Sequence, residues 1–146
     1  MNKYVMPVFW ALVVVSVVLV SAVFSKFPNA IKGPLLFTIQ IAFITLAVLA
    51  VALTVMAARM RPHNRQRIFL LLTGSAGIGL VASLILHNLV FAALVFLFGE
   101  DFWINLGDEP FFFVLATLIC PLAFLVGAVG SITLWARSKL KSRLTR

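Results

Sequence analysis

The fold is decided by residues 35–58, LLFTIQIAFITLAVLAVALTVMAA, a run that contains no charged side chain. Thirteen of its residues are Leu, Ile, Phe or Val, and each favours insertion near the centre of a bilayer by about 0.3 to 0.6 kcal/mol. Together they contribute roughly 4 to 8 kcal/mol, which outweighs the cost of one glutamine and three threonines. The run also exceeds the roughly 20 residues that a helix needs to cross about 30 Å of hydrocarbon. We therefore predict a transmembrane helix here.

Three further uncharged runs occupy residues 5–25, 68–98 and 111–136. Of the 146 residues, 63% are hydrophobic and 11% are charged, whereas about 25% of the residues of a soluble domain are charged. Since lipid offers no hydrogen-bond partners to a backbone, each run is expected to be helical. We predict an all-α membrane protein with four transmembrane helices in an antiparallel bundle. The bundle forms one domain over residues 1–146, with a basic tail at residues 137–146.

The charged residues predict how the chain is oriented in the membrane. Ten of the twelve lysines and arginines lie at the N-terminus, between the second and third runs, or in the tail. The other two connections carry two lysines and all four acids, so the two sides have net charges of +10 and −2. Because loops rich in Lys and Arg stay on the cytoplasmic side, we predict a multi-pass protein of the cell (inner or plasma) membrane with both termini cytoplasmic.

The same charge distribution predicts which partners the chain contacts. Topology accounts for the basic residues, so we expect no nucleic-acid partner. Near the membrane surface each basic residue attracts anionic lipid headgroups by roughly 1 kcal/mol. The residues expected to contact these headgroups are Arg59, Arg61, Arg65, Arg67, Arg137, Lys139, Lys141 and Arg143.

The third run is too long for a simple crossing. Its 31 residues would form a helix of about 46 Å, against about 30 Å of hydrocarbon. The helix must therefore bend, for which residues 74–79 offer three glycines, or protrude on the outer side. Protrusion would bring Phe96 and Phe98 toward water. We predict that the third loop, which contains Phe102 and Trp103, covers them as a small aromatic cap on the outer side.

Small residues at four-residue spacing predict where the helices pack. Lipid tails are as apolar as leucine, so helices in a bilayer associate through close approach of small side chains. This pattern predicts helix packing, or contact with another subunit, at Ser75, Gly79, Ala123, Gly127 and Ser131.

Polar side chains inside a span are candidate functional residues. His87 and Asn88 are adjacent in the third run, and Ser83 and Gln40 could join them in a polar intramembrane site. Such a site could bind a solute or move protons. Alternatively, these side chains form interhelical hydrogen bonds, which stabilise a membrane bundle by about 0.6 to 2 kcal/mol.

Metal binding and catalysis have little support in the sequence. Zinc needs three or four convergent ligands. His63 and His87 are predicted on different sides of the membrane, and Cys120 is the only cysteine in the sequence. All four acids lie in one loop. We also find no nucleophile beside a base in the spans. We expect no catalytic residues, no metal site and no cofactor. In the fourth run, Pro121 is expected to disturb the helix near Thr117, whose carbonyl it crowds.

The leading hypothesis is a non-enzymatic accessory or scaffolding subunit of a membrane complex. Its partners would be other membrane subunits or a second copy of the chain. The alternative is a small transporter or channel subunit that forms an oligomer with a polar site around His87 and Asn88.

Overall fold

The computed structural model describes residues 4–24, 32–62, 64–99 and 110–144, and all regular secondary structure in these ranges is helical. Helix α1 spans Val5–Phe24, α2 spans Lys32–Ala58 and α3 spans Arg65–Phe98. The fourth helical segment, α4, consists of three consecutive parts: α-helical Pro110–Val114, π-helical Leu115–Ile119 and α-helical Cys120–Leu144. This confirms the prediction of an all-helical chain with four helices that are long and apolar enough to cross a membrane.

Helix α3 is continuous through its glycines. Asn64 caps its N-terminus, since the side-chain oxygen accepts a hydrogen bond of 3.0 Å from the amide of Gln66. At its other end Gly99 adopts a positive φ of 83°, a conformation suited to glycine, and donates its amide to the Val95 carbonyl. The 34 residues of α3 correspond to about 51 Å. The helix is therefore unbroken and longer than the hydrocarbon is thick. The predicted cap residues Phe102 and Trp103 lie outside the described residues.

Helix α4 is irregular where Pro121 was expected to disturb it. Proline has no amide hydrogen to donate to a carbonyl of the preceding turn. In the structure, the π-helical turn Leu115–Ile119 comes just before it, and the amide of Cys120 donates to the Leu115 carbonyl five residues back. A π-helical turn accommodates one additional residue within a helix. The sequence therefore located the irregularity, and the structure gives its form. Beyond the apolar run, α4 continues to Leu144 in the basic tail.

Contacts between the helices define their relative directions. A Cβ added to Gly77 of α3 would lie 2.9 Å from the Cβ of Ala50 in α2, and one added to Gly127 of α4 would lie 2.7 Å from the amide nitrogen of Thr73 in α3. The first turns of α1 and α3 are also adjacent, because Gln66 Nε2 donates to Met6 Sδ at 3.4 Å. Successive contacts along α3 occur in the reverse order along α2 and along α4, so α3 is antiparallel to both of these neighbours.

The buried side chains are concentrated in one half of the bundle. We call this the basic half; it is where α1 and α3 begin and α2 and α4 end, and the exposed arginines flank it. The opposite half, where α1 and α3 end, is the open half. The hydrophobic core of the basic half contains Val5, Met6, Phe9, Leu12, Ala50, Leu53, Ala57, Leu70 and Ala128. Trp135 of α4 packs against this core.

Candidate functional site

The two polar residues His87 and Asn88 lie on different faces of α3. Consecutive residues on an α-helix are rotated by about 100° around its axis. His87 is half-buried against α4, where its ring centroid is 5.9 Å from that of Phe113. Asn88 is exposed, lies beside α2, and donates its Nδ2 to the Leu84 carbonyl at 2.7 Å. The adjacent residues therefore face different surroundings.

The other two residues of the predicted polar site are also apart from each other. Ser83 lies one helical turn before His87 and is almost completely buried. Gln40 is exposed near the beginning of α2. The structure thus brings Ser83 and His87 to the same face of α3, and it leaves Asn88 and Gln40 on exposed surfaces.

The residues predicted for helix packing occupy several environments. Gly127 lies against Thr73, and a Cβ added to Gly79 would lie 3.0 Å from Cys120 Sγ. Ser131 is completely buried, whereas Ala123 is half-buried. Ser75 is exposed and donates its hydroxyl to the Leu72 carbonyl at 3.2 Å.

Two glycines of α3 that contact α2 were not among the residues predicted for packing, although small-residue spacing on the second run also indicates packing at their α2 partners Ala50 and Thr54. Gly74 lies against Thr54, and Gly77 lies against Ala50. These glycines are three residues apart, so a search at four-residue spacing on α3 does not connect them. A combined search for small residues at three- and four-residue spacing would have found both.

The basic residues predicted to contact headgroups surround the end of the basic half. Arg67 is half-buried, and its Nε atom is buried. The others are exposed at the ends of α2 and α4 or at the start of α3: Arg59, Arg61, Arg65, Arg137, Lys139, Lys141 and Arg143. Their positions leave the charged groups accessible to an anionic surface.

Groups that could hold a metal were searched within the described ranges. Among residues 4–24, 32–62, 64–99 and 110–144, no three His, Cys, Asp or Glu side chains come together. His63 and the acids Glu100, Asp101, Asp108 and Glu109 lie outside the described residues. Cys120 is buried where α4 meets Gly79 of α3.

A groove of about 990 Å³ lies between α2 and α3, in the open half. We call it the α2–α3 groove. Its α2 wall includes Ile44 and Val48, and its α3 wall includes Leu84 and Ile85. Asn88 supplies the polar side chain of this otherwise apolar lining. The groove therefore presents one amide on an apolar lateral surface.

A second opening, of about 410 Å³, extends into the bundle itself. We call it the bundle crevice. All four helices line it, and its deeper part is formed by the buried residues Leu19, Leu46 and Gly77. Its rim includes the exposed residues Val20 of α1 and Leu125 of α4. The crevice is therefore accessible from the side of the bundle, between α1 and α4.

Comparison with known proteins gives no relative: the chain matches no protein-family model, no curated protein and no solved structure. The groove, the crevice and the distribution of charge are therefore the features that indicate a function.

Proposed function

We propose that this chain is a non-enzymatic accessory or scaffolding subunit of a membrane complex, and that the α2–α3 groove is its docking surface for a partner transmembrane helix. The partner helix belongs either to another subunit or to a second copy of the chain. The observation that carries this proposal is the combination of a large lateral groove with the single amide of Asn88 in its lining.

The size of the groove fits a helix. A helix about 10 Å across has a cross-section of roughly 80 Å². A volume of about 990 Å³ therefore accommodates about 12 Å of such a helix, or roughly two turns. Ala47 of α2 and Ala92 of α3 also line the groove. Small side chains at these positions allow a partner backbone to approach closely, which favours association in lipid.

Asn88 gives the groove a means of selecting its partner. Its Nδ2 already donates to Leu84, but an amide also has a second hydrogen to donate and an oxygen that accepts two hydrogen bonds. In hydrocarbon, a facing Ser, Thr or Asn on the partner helix satisfies these groups. Such an interhelical hydrogen bond contributes about 0.6 to 2 kcal/mol. The proposal therefore predicts a partner helix with a polar residue at this depth.

The proposed orientation places the basic half toward the cytoplasm, with both chain termini on that side of the cell membrane. The exposed arginines at the turn between α2 and α3 support this orientation, because loops rich in arginine remain cytoplasmic. Anionic lipid headgroups would contact the same arginines, at roughly 1 kcal/mol per charge.

The alternative, a transporter or channel subunit, has less geometric support. A polar pathway would use His87 and Asn88 together, but one side chain faces α4 and the other faces the α2–α3 groove. Solute flux into proteoliposomes compares the alternatives. If His87→Ala and Asn88→Ala each abolish a measured flux, this result supports the transport function and contradicts the scaffolding function.

Site-specific photo-crosslinking tests the scaffolding function directly. A benzophenone amino acid is introduced at Val48 or Ile85 in the groove, and at Val129 of α4 as the control. All three side chains are exposed to a similar extent. We expect protein adducts from the two groove positions and none from position 129. An adduct at twice the mass of the chain identifies a second copy, and another mass identifies a different subunit.

The substitution Asn88→Leu makes this test specific for the groove. It should lower the yield of groove adducts by about 3- to 30-fold, since a loss of 0.6 to 2 kcal/mol corresponds to that range. Equal adduct yields from positions 48, 85 and 129, or yields unaffected by Asn88→Leu, would contradict the proposed docking surface.

A further inference from the structure

The bundle crevice differs from the α2–α3 groove in shape and in size. It penetrates between the four helices, and its volume is about 410 Å³. With a cross-section of roughly 80 Å², a helix would fill this volume with only about 5 Å of its length, or about one turn. The crevice therefore holds no more than about one turn of a partner helix. The volume nevertheless lies within the range of about 300 to 1,000 Å³ that is typical of small-molecule sites.

The crevice lining has the chemistry of a hydrocarbon site. Its side chains are apolar apart from two serines on α1. The hydroxyl of Ser16 donates to the Leu12 carbonyl at 2.8 Å, within its own helix. Pro121, which also lines the crevice, has no amide hydrogen to donate. The lining is thus suited to a methylene chain and poorly suited to a polar headgroup.

The position of the crevice opening indicates from where a methylene chain would enter. Val17 and Val20 of α1 and Leu125 of α4 line the crevice and are also exposed on the surface of the bundle. In a bilayer this surface faces lipid tails. We propose that the bundle crevice binds one acyl chain of a membrane glycerolipid, which enters laterally between α1 and α4.

Packing provides the driving force for this binding. The acyl chain moves from one hydrocarbon environment to another, so removal of apolar surface from water contributes little to binding. Water does not stabilise the lining either, because an apolar cavity offers it too few hydrogen-bond partners. An acyl chain instead makes dispersion contacts with walls that otherwise lack neighbouring atoms. The bound chain should therefore stay in the crevice longer than a lipid chain stays on the outer surface.

Photolabelling of the full chain tests the proposal. The protein is reconstituted in vesicles of phosphatidylcholine that carries a diazirine on one acyl chain, and labelled residues are located by mass spectrometry. Two pairs of adjacent residues provide matched depth and exposure. Val17 of the lining is 60% exposed and its neighbour Val18 is 57% exposed, while Leu125 of the lining and its neighbour Val126 are both 58% exposed.

The expected result is a preference for the crevice member of each pair. Val17 and Leu125 should be labelled at least about 3-fold more than Val18 and Val126, and Leu80 within the crevice should also be labelled. Equal labelling within both pairs, together with no label at Leu80, would overturn the proposal. This result is independent of the partner crosslinking, because the labelled residues lie in or beside the crevice and none of them lines the α2–α3 groove.

A filled crevice provides a second test. Leu80→Trp places a large side chain in the crevice, and Ile85→Trp places the same side chain in the α2–α3 groove as a control. With Leu80→Trp, labelling of Val17 and Leu125 should fall to the level of their neighbours, whereas Ile85→Trp should leave the preference intact. A folded Leu80→Trp variant that keeps the preference would contradict an acyl chain in the crevice. If Leu80→Trp does not fold, the labelling ratios within the two residue pairs of the unmodified protein decide whether the proposal holds.

Discussion

The basic and open halves of the bundle bury their side chains to different degrees. In the basic half, Phe9, Leu12, Leu53 and Leu70 are completely buried and form one core with neighbouring residues of all four helices. The open half contains the α2–α3 groove, and the bundle crevice begins where the core ends, since Leu46 belongs to the core and also lines the crevice. Because dispersion contacts and close helix packing stabilise a bundle in lipid, most of the stability should come from the basic half. Both of our binding proposals therefore concern openings outside the well-packed core.

The largest effect is expected where two backbones meet in the basic half. A Cβ at Gly127 would lie 2.7 Å from the amide nitrogen of Thr73 and 2.9 Å from the carbonyl oxygen of Phe69. Backbone atoms cannot rotate away as side chains can, so Gly127→Leu should separate α3 from α4. We expect it to lower the free energy of unfolding by more than about 4 kcal/mol. Steric trapping in bicelles measures this change.

Gly79→Ala provides a milder comparison, because it adds only a methyl group, whose carbon would meet the side-chain sulfur of Cys120 at 3.0 Å. A side chain can shift by a few tenths of an ångström, so the loss should stay below about 1 kcal/mol. Native stability of Gly127→Leu would contradict the close α3–α4 contact.

A smaller effect is expected from a cavity in the core of the basic half. Phe9→Ala removes a ring that is completely buried. In water-soluble proteins such a change costs about 3 to 5 kcal/mol, part of which reflects transfer from water. In lipid that part is reduced, so we expect a loss of roughly 2 to 4 kcal/mol in the free energy of unfolding.

Phe96→Ala in the open half provides the comparison, since this ring is 89% exposed. Its removal should change the free energy of unfolding by less than about 0.5 kcal/mol. Equal losses for the two variants, measured in the same bicelles, would remove the distinction between the halves.

The sequence predicted the four helices because hydropathy over about 20 residues is sufficient to identify a membrane span. Hydropathy did not predict which faces of the helices pack together. In this bundle, exposed residues such as Val18 and Val126 are as apolar as buried ones such as Leu12, so hydrophobicity does not distinguish the two sides. The concentration of the core in one half, and with it the groove and the crevice, therefore required the structure.

The surroundings of the candidate polar residues were also not predictable from the sequence. His87 and Asn88 are adjacent in the sequence, but the rotation of about 100° per residue alone predicts that they face different directions. The sequence does not contain the information that one meets Phe113 of α4 and the other lies in the α2–α3 groove. Small residues were more informative, since Gly127 and Gly79 both lie close to a neighbouring helix.

The smallest expected effect compares two glutamines, one in each half. Gln66 is buried in the basic half and donates to Met6 Sδ, which links α3 to α1, whereas Gln40 is exposed in the open half. Leucine has a similar size and no hydrogen-bonding group. Gln66→Leu should therefore lower the free energy of unfolding by about 0.6 kcal/mol, the average value of an interhelical hydrogen bond in lipid. Gln40→Leu should leave it unchanged or raise it slightly, because an exposed amide in hydrocarbon is unfavourable. Steric trapping of both variants in bicelles measures the difference, and an equal or larger loss for Gln40→Leu would mean that the open half also depends on polar contacts between helices.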